Sequence, residues 1–297
     1  MPSARATFDA GAMVQAPHAA TAALRIVGVD PERGFGGGET QVLGLTLALN
    51  RAGHGAELIC DPAGELWRRA LAAGVRCHPL AIRNALDAPA GMRLRSILRR
   101  GRYDVVHFHT SRAHAMAPFA QGLARVLVVT RRMDYRPNRL FAPYLFGRAV
   151  DRVIAISPGV ADSIAAAGVA RELIAHIPSG VDCERFHPPS DAERATARVD
   201  FGMVPNDIVV AAVGALHSRK GHRFLIEAMA ALPDRARQLR CIIAGDGAIR
   251  TELEAQIAQL GCAARVKLLG RVEDTRQLLW ASDIFAMPSL NEGLGVA

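Results

Sequence analysis

The chain has 297 residues, of which half are hydrophobic and 22% are charged, so it is long enough for two globular domains. No apolar run reaches the roughly 18 residues of a membrane-spanning helix, and no signal-peptide pattern opens the sequence. The net charge of +8 and the pI of about 9.9 favour anionic partners. Nucleic acid is excluded as a partner because the arginines are spread along the chain, without an aromatic-interleaved stripe.

The cysteines give the expected compartment. Five of them lie far apart, without a CxxC pair, at Cys60, Cys77, Cys183, Cys241 and Cys262. An odd, scattered set favours a reducing environment over a disulfide framework or a zinc site. We therefore expect a cytoplasmic protein without a bound metal or other cofactor.

Short β-branched runs alternate with helix-length segments along residues 23–182, after a loose tail at residues 1–22. The first strand candidate, LRIVGV at 24–29, is followed by a glycine-rich loop and a helical pattern. The other strand candidates are AELICD, VRCHPL, YDVVHFH, VLVVTRR and DRVIAIS. This alternation indicates a Rossmann-like α/β domain, in which helices cover both faces of a parallel sheet.

Residues 183–207 interrupt the alternation with a Pro pair and no clear period, which predicts a linker. The alternation restarts over 208–297, where IVVAAVGAL, LRCIIAGDG, RVKLLG and DIFAMPS are strand candidates separated by helical patterns. The sequence therefore predicts a second Rossmann-like domain with four strands.

The strand count predicts where the last strand lies. In a doubly wound sheet of order 3-2-1-4-5-6, the fourth strand pairs with the first. We expect the strand at 283–288 to take that place, and two further strands, some 60–80 residues, to be missing. The second domain is thus expected to be incomplete, with the chain ending at the switch point where ligands bind.

The glycine-rich stretch GFGGGET at 34–40 follows the first strand and opens a helix. Glycines let backbone N–H groups approach a ligand closely, and a helix N-terminus favours an anion. A phosphate- or substrate-binding loop and a plain flexible turn both fit this pattern. The spacing is not GxGxxG, which argues against a nicotinamide site.

Two histidines mark the carboxyl end of a predicted strand. In DVVHFHT, His107 and His109 are two residues apart and so point to the same face. A core histidine that is hydrogen-bonded to the backbone is the alternative for each. No nearby Asp, Glu or Cys has ligand spacing, so we predict no metal site.

Basic residues follow the first strand of the second half. Arg219 and Lys220 precede a helix start at Gly221, and two cations beside a helix N-terminus form a good pyrophosphate-binding pair. A solvated basic turn is the alternative. In AGDGAIR, Asp246 lies between glycines after the next strand, where a helix cap explains it equally well.

These residues carry a resemblance to a family. Eight stretches occur in the order found in family 4 (group 1) retaining glycosyltransferases with the GT-B fold, over about residues 24–297: GGGET, DVVHFHT, VIAISPGVAD, IPSGVDCERFHP, VGALHSRKGHRFLIEAMA, IIAGDG, VKLLGRVED and ASDIFAMPSLNEGLGVA. The resemblance implies transfer of a hexose-type sugar, with retention, from a nucleotide-sugar to a cell-envelope or lipopolysaccharide-type acceptor. It implies that the C-terminal domain binds the donor and the N-terminal domain binds the acceptor, without an essential metal.

The resemblance also implies roles for individual residues. His109 and Glu292 are expected to contact the transferred sugar as catalytic residues, and Arg219 and Lys220 to hold the diphosphate. The remaining donor-binding positions would be Gly37, Gly38, Gly214, Asp246, Gly293, Leu294 and Gly295.

The sequence departs from the family pattern at two positions. Ala215 stands where the family usually has an arginine, and the second glutamate of the family's E-x7-E pair would fall at position 300, beyond Ala297. From this we expect the chain to lack transfer activity as it stands.

Other functions remain open at this point. A nucleotide-sugar epimerase would share the diphosphate site, and a non-enzymatic remnant would bind only an acceptor or a membrane. Peripheral contact with the inner face of an anionic cytoplasmic membrane is a further possibility for two basic stretches, 93–102 and 131–148. In the first, Leu94, Ile97 and Leu98 lie at helical spacing; an ordinary helix packed on the sheet is the alternative.

Overall fold

The computed structural model of the chain describes residues 22–133, 137–233 and 238–297. It contains two parallel β-sheets with helices packed against them. None of the helices in these three ranges has the length and apolar character that crossing a bilayer requires.

Seven parallel strands form the first sheet, in the order β3-β2-β1-β4-β5-β6-β7. The strands are β1 (Arg25–Asp30), β2 (Gly55–Cys60), β3 (Cys77–Pro79), β4 (Val105–Phe108), β5 (Val126–Arg131), β6 (Arg152–Ala155) and β7 (Ile174–His176). The first six overlap the predicted strands. The edge strand β7 was not predicted.

Helices cover both faces of this sheet. They are α1 (Gly37–Arg51), α2 (Glu65–Ala72), α3 (Ala88–Gly101), α4 (Ser111–His114), α5 (Ala117–Ala120), α6 (Ala142–Leu145) and α7 (Pro158–Ala165). On one face Val27 and Val29 of β1 join a large apolar core with Phe108. On the other face Leu58 of β2 packs with Val42 of α1. Strands buried on both faces read as continuous apolar runs, which is why the pattern was visible in the sequence.

The second sheet has the order β10-β9-β8-β11, all parallel. Its strands are β8 (Ile208–Val213), β9 (Leu239–Ala244), β10 (Val266–Gly270) and β11 (Ile284–Phe285), and its helices are α8 (Asp191–Asp200), α9 (His222–Ala230), α10 (Arg250–Gln259) and α11 (Thr275–Ala281). The fourth strand lies beside the first, as predicted: Ile284 pairs with Val210 and Phe285 with Ala211.

The predicted linker at 183–207 contains a regular helix, α8, and belongs with the second sheet. Ser190 caps the helix, and the Glu193 carboxylate accepts a hydrogen bond from the Ser190 backbone N–H (2.8 Å). Arg194 donates to the carbonyl of Trp280 and to Asp283, and Arg198 also reaches Asp283, so α8 is fixed to the end of α11 and the start of β11. The sequence analysis did not predict this helix, of which only Ala197 is buried.

The basic helix α3 does not present its apolar side chains to solvent. Leu94 and Leu98 are completely buried in the core of the first sheet, and Ile97 packs against the same core. The proposed membrane-facing side of 93–102 is therefore wrong, and the alternative of an ordinary packed helix is correct.

The segment 293–296 crosses from the second sheet to the first. Leu294 packs against the large core of the first sheet, and Val296 lies against Gly37 of α1. Gly293 is buried so closely on the backbone of Arg132 that a Cβ at this position would overlap the Arg132 carbonyl oxygen. Residues 293–296 are therefore held on the first sheet by specific contacts.

Candidate active site between the two sheets

The candidate site lies where the carboxyl ends of strands from both sheets meet. In each sheet the order reverses next to the first strand, between β1 and β4 and between β8 and β11. Open α/β sheets bind ligands at such switch points, because helices on the two sides diverge there and leave a crevice. The contacts of segment 293–296 bring the two switch points together.

The glycine loop forms the start of α1. The helix begins at Gly37, and the Glu39 carboxylate accepts a hydrogen bond from the Gly36 backbone N–H (2.7 Å). Gly37 lies 3.4 Å, measured from its ideal Cβ position, from Val296, and Gly38 lies 3.8 Å from the Arg132 side chain. The two predicted glycines are thus at the junction of the two halves.

His107 and His109 lie side by side at the end of β4, with ring centroids 4.0 Å apart. His107 is hydrogen-bonded to the Thr130 hydroxyl through Nε2 (2.6 Å), whereas Nδ1 of His109 has no hydrogen-bond partner among residues 22–133, 137–233 and 238–297. Burial lowers the pKa of His107 to about 3 and that of His109 well below its usual value. Both rings are therefore neutral at physiological pH, and His109 can offer hydrogen bonds but not a charge.

Two residues that the sequence analysis missed complete this side of the site. Asp30 ends β1 and is 1% exposed, and burial raises its pKa to about 7. Arg132 follows β5, and burial lowers its pKa although the carboxylates of Asp30 and Glu39 act in the opposite direction. An acidic residue at the end of a buried strand was the only signal for Asp30 in the sequence.

On the opposite side, Arg219 and Lys220 form the candidate diphosphate clamp. They lie in a 3₁₀ turn, Ser218–Lys220, directly before α9, with Arg219 exposed and Lys220 partly buried. The ammonium of Lys220 forms an ion pair with the carboxylate of Glu292, and the Ser289 hydroxyl donates to the same carboxylate oxygen (2.8 Å). The structure therefore joins two of the predicted site residues directly.

The backbone between clamp and β11 is tightly fitted. The N–H of Leu290 donates to the carbonyl of Arg219 (2.9 Å). Gly221 adopts the left-handed conformation (φ 67°), and a Cβ there would overlap the carbonyl oxygen of Pro288. Only glycine lets the start of α9 approach the strand end this closely.

The other predicted positions lie around this pair. Gly214 follows β8, and its backbone lies against the ring of His222. Asp246 is exposed and accepts a hydrogen bond from the Gly247 N–H (2.8 Å), so it turns towards its own turn and the start of α10. Gly295 lies against the side chain of Met287. Ala215, where the family has an arginine, is exposed.

In the three described ranges, no group of three or more His, Cys, Asp or Glu side chains converges in a way that could hold a metal ion. The site instead offers cations on one side, at Arg219 and Lys220, and neutral rings and carboxylates on the other. This arrangement can hold an anionic leaving group and contact hydroxyl groups.

Comparison with known proteins identifies the family. The sequence model of Glycosyltransferase Family 4 matches residues 35–185, and that of Glycosyl transferases group 1 matches residues 193–297. The lipopolysaccharide core biosynthesis glycosyltransferase LpsE of Rhizobium meliloti (strain 1021) is 30% identical over 269 residues, which cover 88% of this chain and 71% of LpsE. EpsF of Bacillus subtilis (strain 168) is 34% identical over 128 residues, which cover 42% of this chain and 33% of EpsF.

Solved structures show the same fold. HepE from Anabaena, in complex with UDP and glucose, superposes with a TM-score of 0.77 at 24% identity, over 90% of this chain and 74% of HepE. The first family match covers most of the first sheet, and the second family match covers the second sheet. The chain belongs to the family 4, group 1 glycosyltransferases and has the GT-B fold.

Proposed function

We propose that the site serves transfer of a hexose-type sugar, with retention, from a nucleotide-sugar donor to a cell-envelope or lipopolysaccharide-type acceptor; that residues 1–297 alone lack transfer activity stays a prediction. The observation that carries the proposal is the Lys220–Glu292 ion pair at the meeting point of the two sheets. A cation for the diphosphate lies directly beside a carboxylate for sugar hydroxyls, as a nucleotide-sugar requires. LpsE, which acts in lipopolysaccharide core biosynthesis by its name, supports the acceptor class.

The cationic side chains and the side chains that accept hydrogen bonds would have different roles in the reaction. As the glycosidic bond breaks, negative charge develops on the leaving diphosphate, and Arg219 and Lys220 would neutralise it. Glu292 and His109 would hold sugar hydroxyls, and the N–H groups of the Gly293–Gly295 turn would face the sugar and phosphate. The acceptor would enter from the side of Gly37 and Gly38. No metal or cofactor is required for these roles.

The domain division follows from the same roles. Residues 23–182 would form the acceptor-side domain, and the donor-side domain would begin with α8 at Asp191 rather than at 208, because α8 is held by Arg194 and Arg198 to the second sheet. The alternative of a nucleotide-sugar epimerase has no support from the family models, since both models that match the chain describe glycosyltransferases.

Membrane contact would use a surface within 131–148. Leu140, Phe141 and Tyr144 are 83%, 66% and 50% exposed, and the exposed Arg139 and Arg148 flank them. Aromatic and aliphatic side chains beside arginines suit the interface of an anionic bilayer. The protein would thus work in the cytoplasm, peripherally bound to the inner face of the membrane.

Calorimetric titration with UDP and GDP tests the donor site. Since HepE was solved with UDP and glucose, UDP is the first nucleotide to try. We expect Arg219→Ala combined with Lys220→Ala to weaken binding by about 2–4 kcal/mol, through the loss of two charge-assisted contacts.

The matched control is Lys267→Ala combined with Arg271→Ala, which removes the same charges from exposed positions around the end of β10. Equal nucleotide affinity in the clamp double variant and the control would remove the clamp assignment. A transfer assay with UDP-glucose and lipopolysaccharide core oligosaccharide, read out by the anomeric NMR signal of the product, tests transfer and retention.

A further inference from the structure

Asp30 and His109 are neighbours on adjacent strands. Val29 pairs with Phe108, and the backbone N–H of His109 donates to the carbonyl of Val29 (3.1 Å), so Asp30 and His109 follow at the same level of β1 and β4. Alternate residues of a strand share a face. Gly28 confirms that face, since its ideal Cβ position lies 3.3 Å from Nε2 of His109. The carboxyl group and the imidazole therefore stand on the same side of the sheet, the side that α1 covers.

Each of the two side chains has one polar atom without a hydrogen-bond partner in the part of the chain that the structure describes. Oδ1 of Asp30 accepts a hydrogen bond from the Glu32 N–H (3.1 Å), whereas Oδ2 of Asp30 and Nδ1 of His109 have no partner there. Both residues are buried, at 1% and 5% exposure. Buried polar atoms are nearly always hydrogen-bonded, because leaving one unpaired is unfavourable. Two such atoms at one strand end indicate a place for an external polar group.

The surrounding charges decide which group fits. The ionisable groups that act on Asp30 from neighbouring elements are Glu32, Glu39, Cys60, Arg112 and Arg132, beside the neutral His109. Three carboxylates and two arginines around this point nearly cancel, so neither a phosphate nor an ammonium group gains a strong net attraction there. A hydroxyl group needs no such attraction, since it donates to a carboxylate and can donate to or accept from a neutral imidazole.

We propose that Asp30 is a second sugar-binding residue beside His109, and that its free carboxylate oxygen accepts a hydrogen bond from a hexose hydroxyl group. This inference rests on the proposed function and adds to it a residue on the first sheet. Arg132 and the start of α1 are next to each other at this strand end. In segment 293–296, Gly293 contacts Arg132 and Val296 contacts Gly37 of α1. Because Asp30 is only 1% exposed, access of a sugar to it would require displacement of that segment.

Carboxyl carbon-13 NMR of the full chain tests the proposal, with Asp30 assigned from the signal that Asp30→Asn removes. At pH 8 we expect UDP-glucose to shift the Asp30 signal and UDP alone to leave it unchanged. Free glucose, galactose, mannose and N-acetylglucosamine, each with and without UDP, form the second arm. A shift with UDP-glucose assigns the contact to the donor sugar, whereas a shift with a free hexose assigns it to the acceptor.

Affinity provides the second measurement. We expect Asp30→Asn to weaken UDP-glucose, or the hexose that shifts the signal, about ten-fold, while UDP affinity stays within about two-fold. Asp61→Asn is the matched control, since Asp61 is also buried, follows the adjacent strand β2 and is already paired with Arg33.

The outcomes separate this inference from the proposed function. A chain that binds no nucleotide would contradict the proposed donor site, and the free hexoses would still decide about Asp30. If neither UDP-glucose nor any hexose moves the Asp30 signal, or if UDP alone moves it, the inference is overturned. Unchanged affinity of Asp30→Asn for the sugar that binds would also overturn it.

Discussion

Lys220 and Glu292 form an ion pair although 72 residues separate them in the sequence. Lys220 lies in the turn before α9, Glu292 follows β11, and their side chains are 30% and 23% exposed. The pair occupies the place proposed for the diphosphate and the sugar. A donor must therefore take Lys220 partly away from Glu292 when it binds.

The first prediction follows from that competition. Glu292→Gln should raise the affinity for UDP several-fold, because Lys220 no longer has a carboxylate partner and is available to the diphosphate. The same variant should lose the additional affinity for UDP-glucose, because a carboxylate accepts hydroxyl hydrogen bonds more strongly than an amide. Calorimetry with both ligands measures the two effects, and Lys220→Ala serves as the comparison, with weaker binding of both. A lower UDP affinity in Glu292→Gln would contradict the competition.

The second prediction concerns the effect of Asp30 on the free energy of unfolding. The pKa of Asp30 in the folded state, about 7, lies above the usual 3.8. Between about pH 4 and 7 the folded state therefore still holds a proton that the unfolded chain has already released. Ionisation of Asp30 therefore lowers the free energy of unfolding as pH rises through this window. Asp30→Asn should match the wild type near pH 4 and exceed it by up to about 4 kcal/mol at pH 8. Urea denaturation at both pH values measures this, and an equal difference at the two would refute it.

The third prediction concerns His114, whose pKa burial lowers to about 3. The unfolded chain binds a proton at this residue below about pH 6.5, and the folded state does not. This contribution to stability is complete above pH 6.5 and is lost as pH falls towards 3. His114→Gln should reduce the dependence of the unfolding free energy on pH by about 1.4 kcal/mol per unit between pH 4 and 6. An unchanged slope would mean that His114 is protonated in the folded protein.

The fourth prediction compares two glycines. Gly221→Ala should destabilise the protein by about 1–3 kcal/mol, because alanine is strained at a φ of 67° and its methyl group overlaps the Pro288 carbonyl. Gly44→Ala should stabilise it by about 0.5–1 kcal/mol, since Gly44 lies inside the exposed face of α1 with open space around it. Thermal unfolding of the two variants gives opposite shifts; a stabilised Gly221→Ala would show that the turn before α9 is built differently.

The fifth prediction concerns the apolar surface around α6. Leu140→Ser combined with Phe141→Ser should reduce co-sedimentation with anionic liposomes several-fold, and rising salt should weaken the wild type. Val199→Ser is the control, because Val199 is 73% exposed on α8, beside the second sheet. Equal binding to anionic and neutral liposomes would contradict the electrostatic part of the interaction.

The strands could be predicted because buried parallel strands are unbroken apolar runs, and every predicted strand overlaps an observed one. The edge strand β7 escaped because it has three residues and only one, Ile174, is β-branched. Helix α8 escaped although Ser190 and Glu193 form a visible capping box, because the Pro pair before it suggested irregular structure and only Ala197 of the helix is buried.

The site divides in the same way. His109, Lys220 and Glu292 could be predicted as site residues because their sequence surroundings match a family pattern, and their roles stay predictions. Asp30 and Arg132 could not be predicted, because they are distinguished by burial and, for Asp30, by an oxygen without a partner among the described residues. Both features depend on strands and loops far apart in the sequence. The packing of Leu294 on the core of the first sheet could not be predicted either, because the local sequence does not indicate which surface this segment contacts.

The contact of segment 293–296 with the first sheet sets a rule for recombining the halves of related enzymes. A chimera that joined residues 1–190 of this chain to the second half of a relative would place that relative's residues on Arg132, Gly37 and the first core. Any side chain at position 293 would wedge the halves apart at the Arg132 carbonyl, and a polar residue at 294 would lose its apolar surroundings. Productive exchange is therefore restricted to relatives that carry glycine and then an aliphatic residue at these two positions.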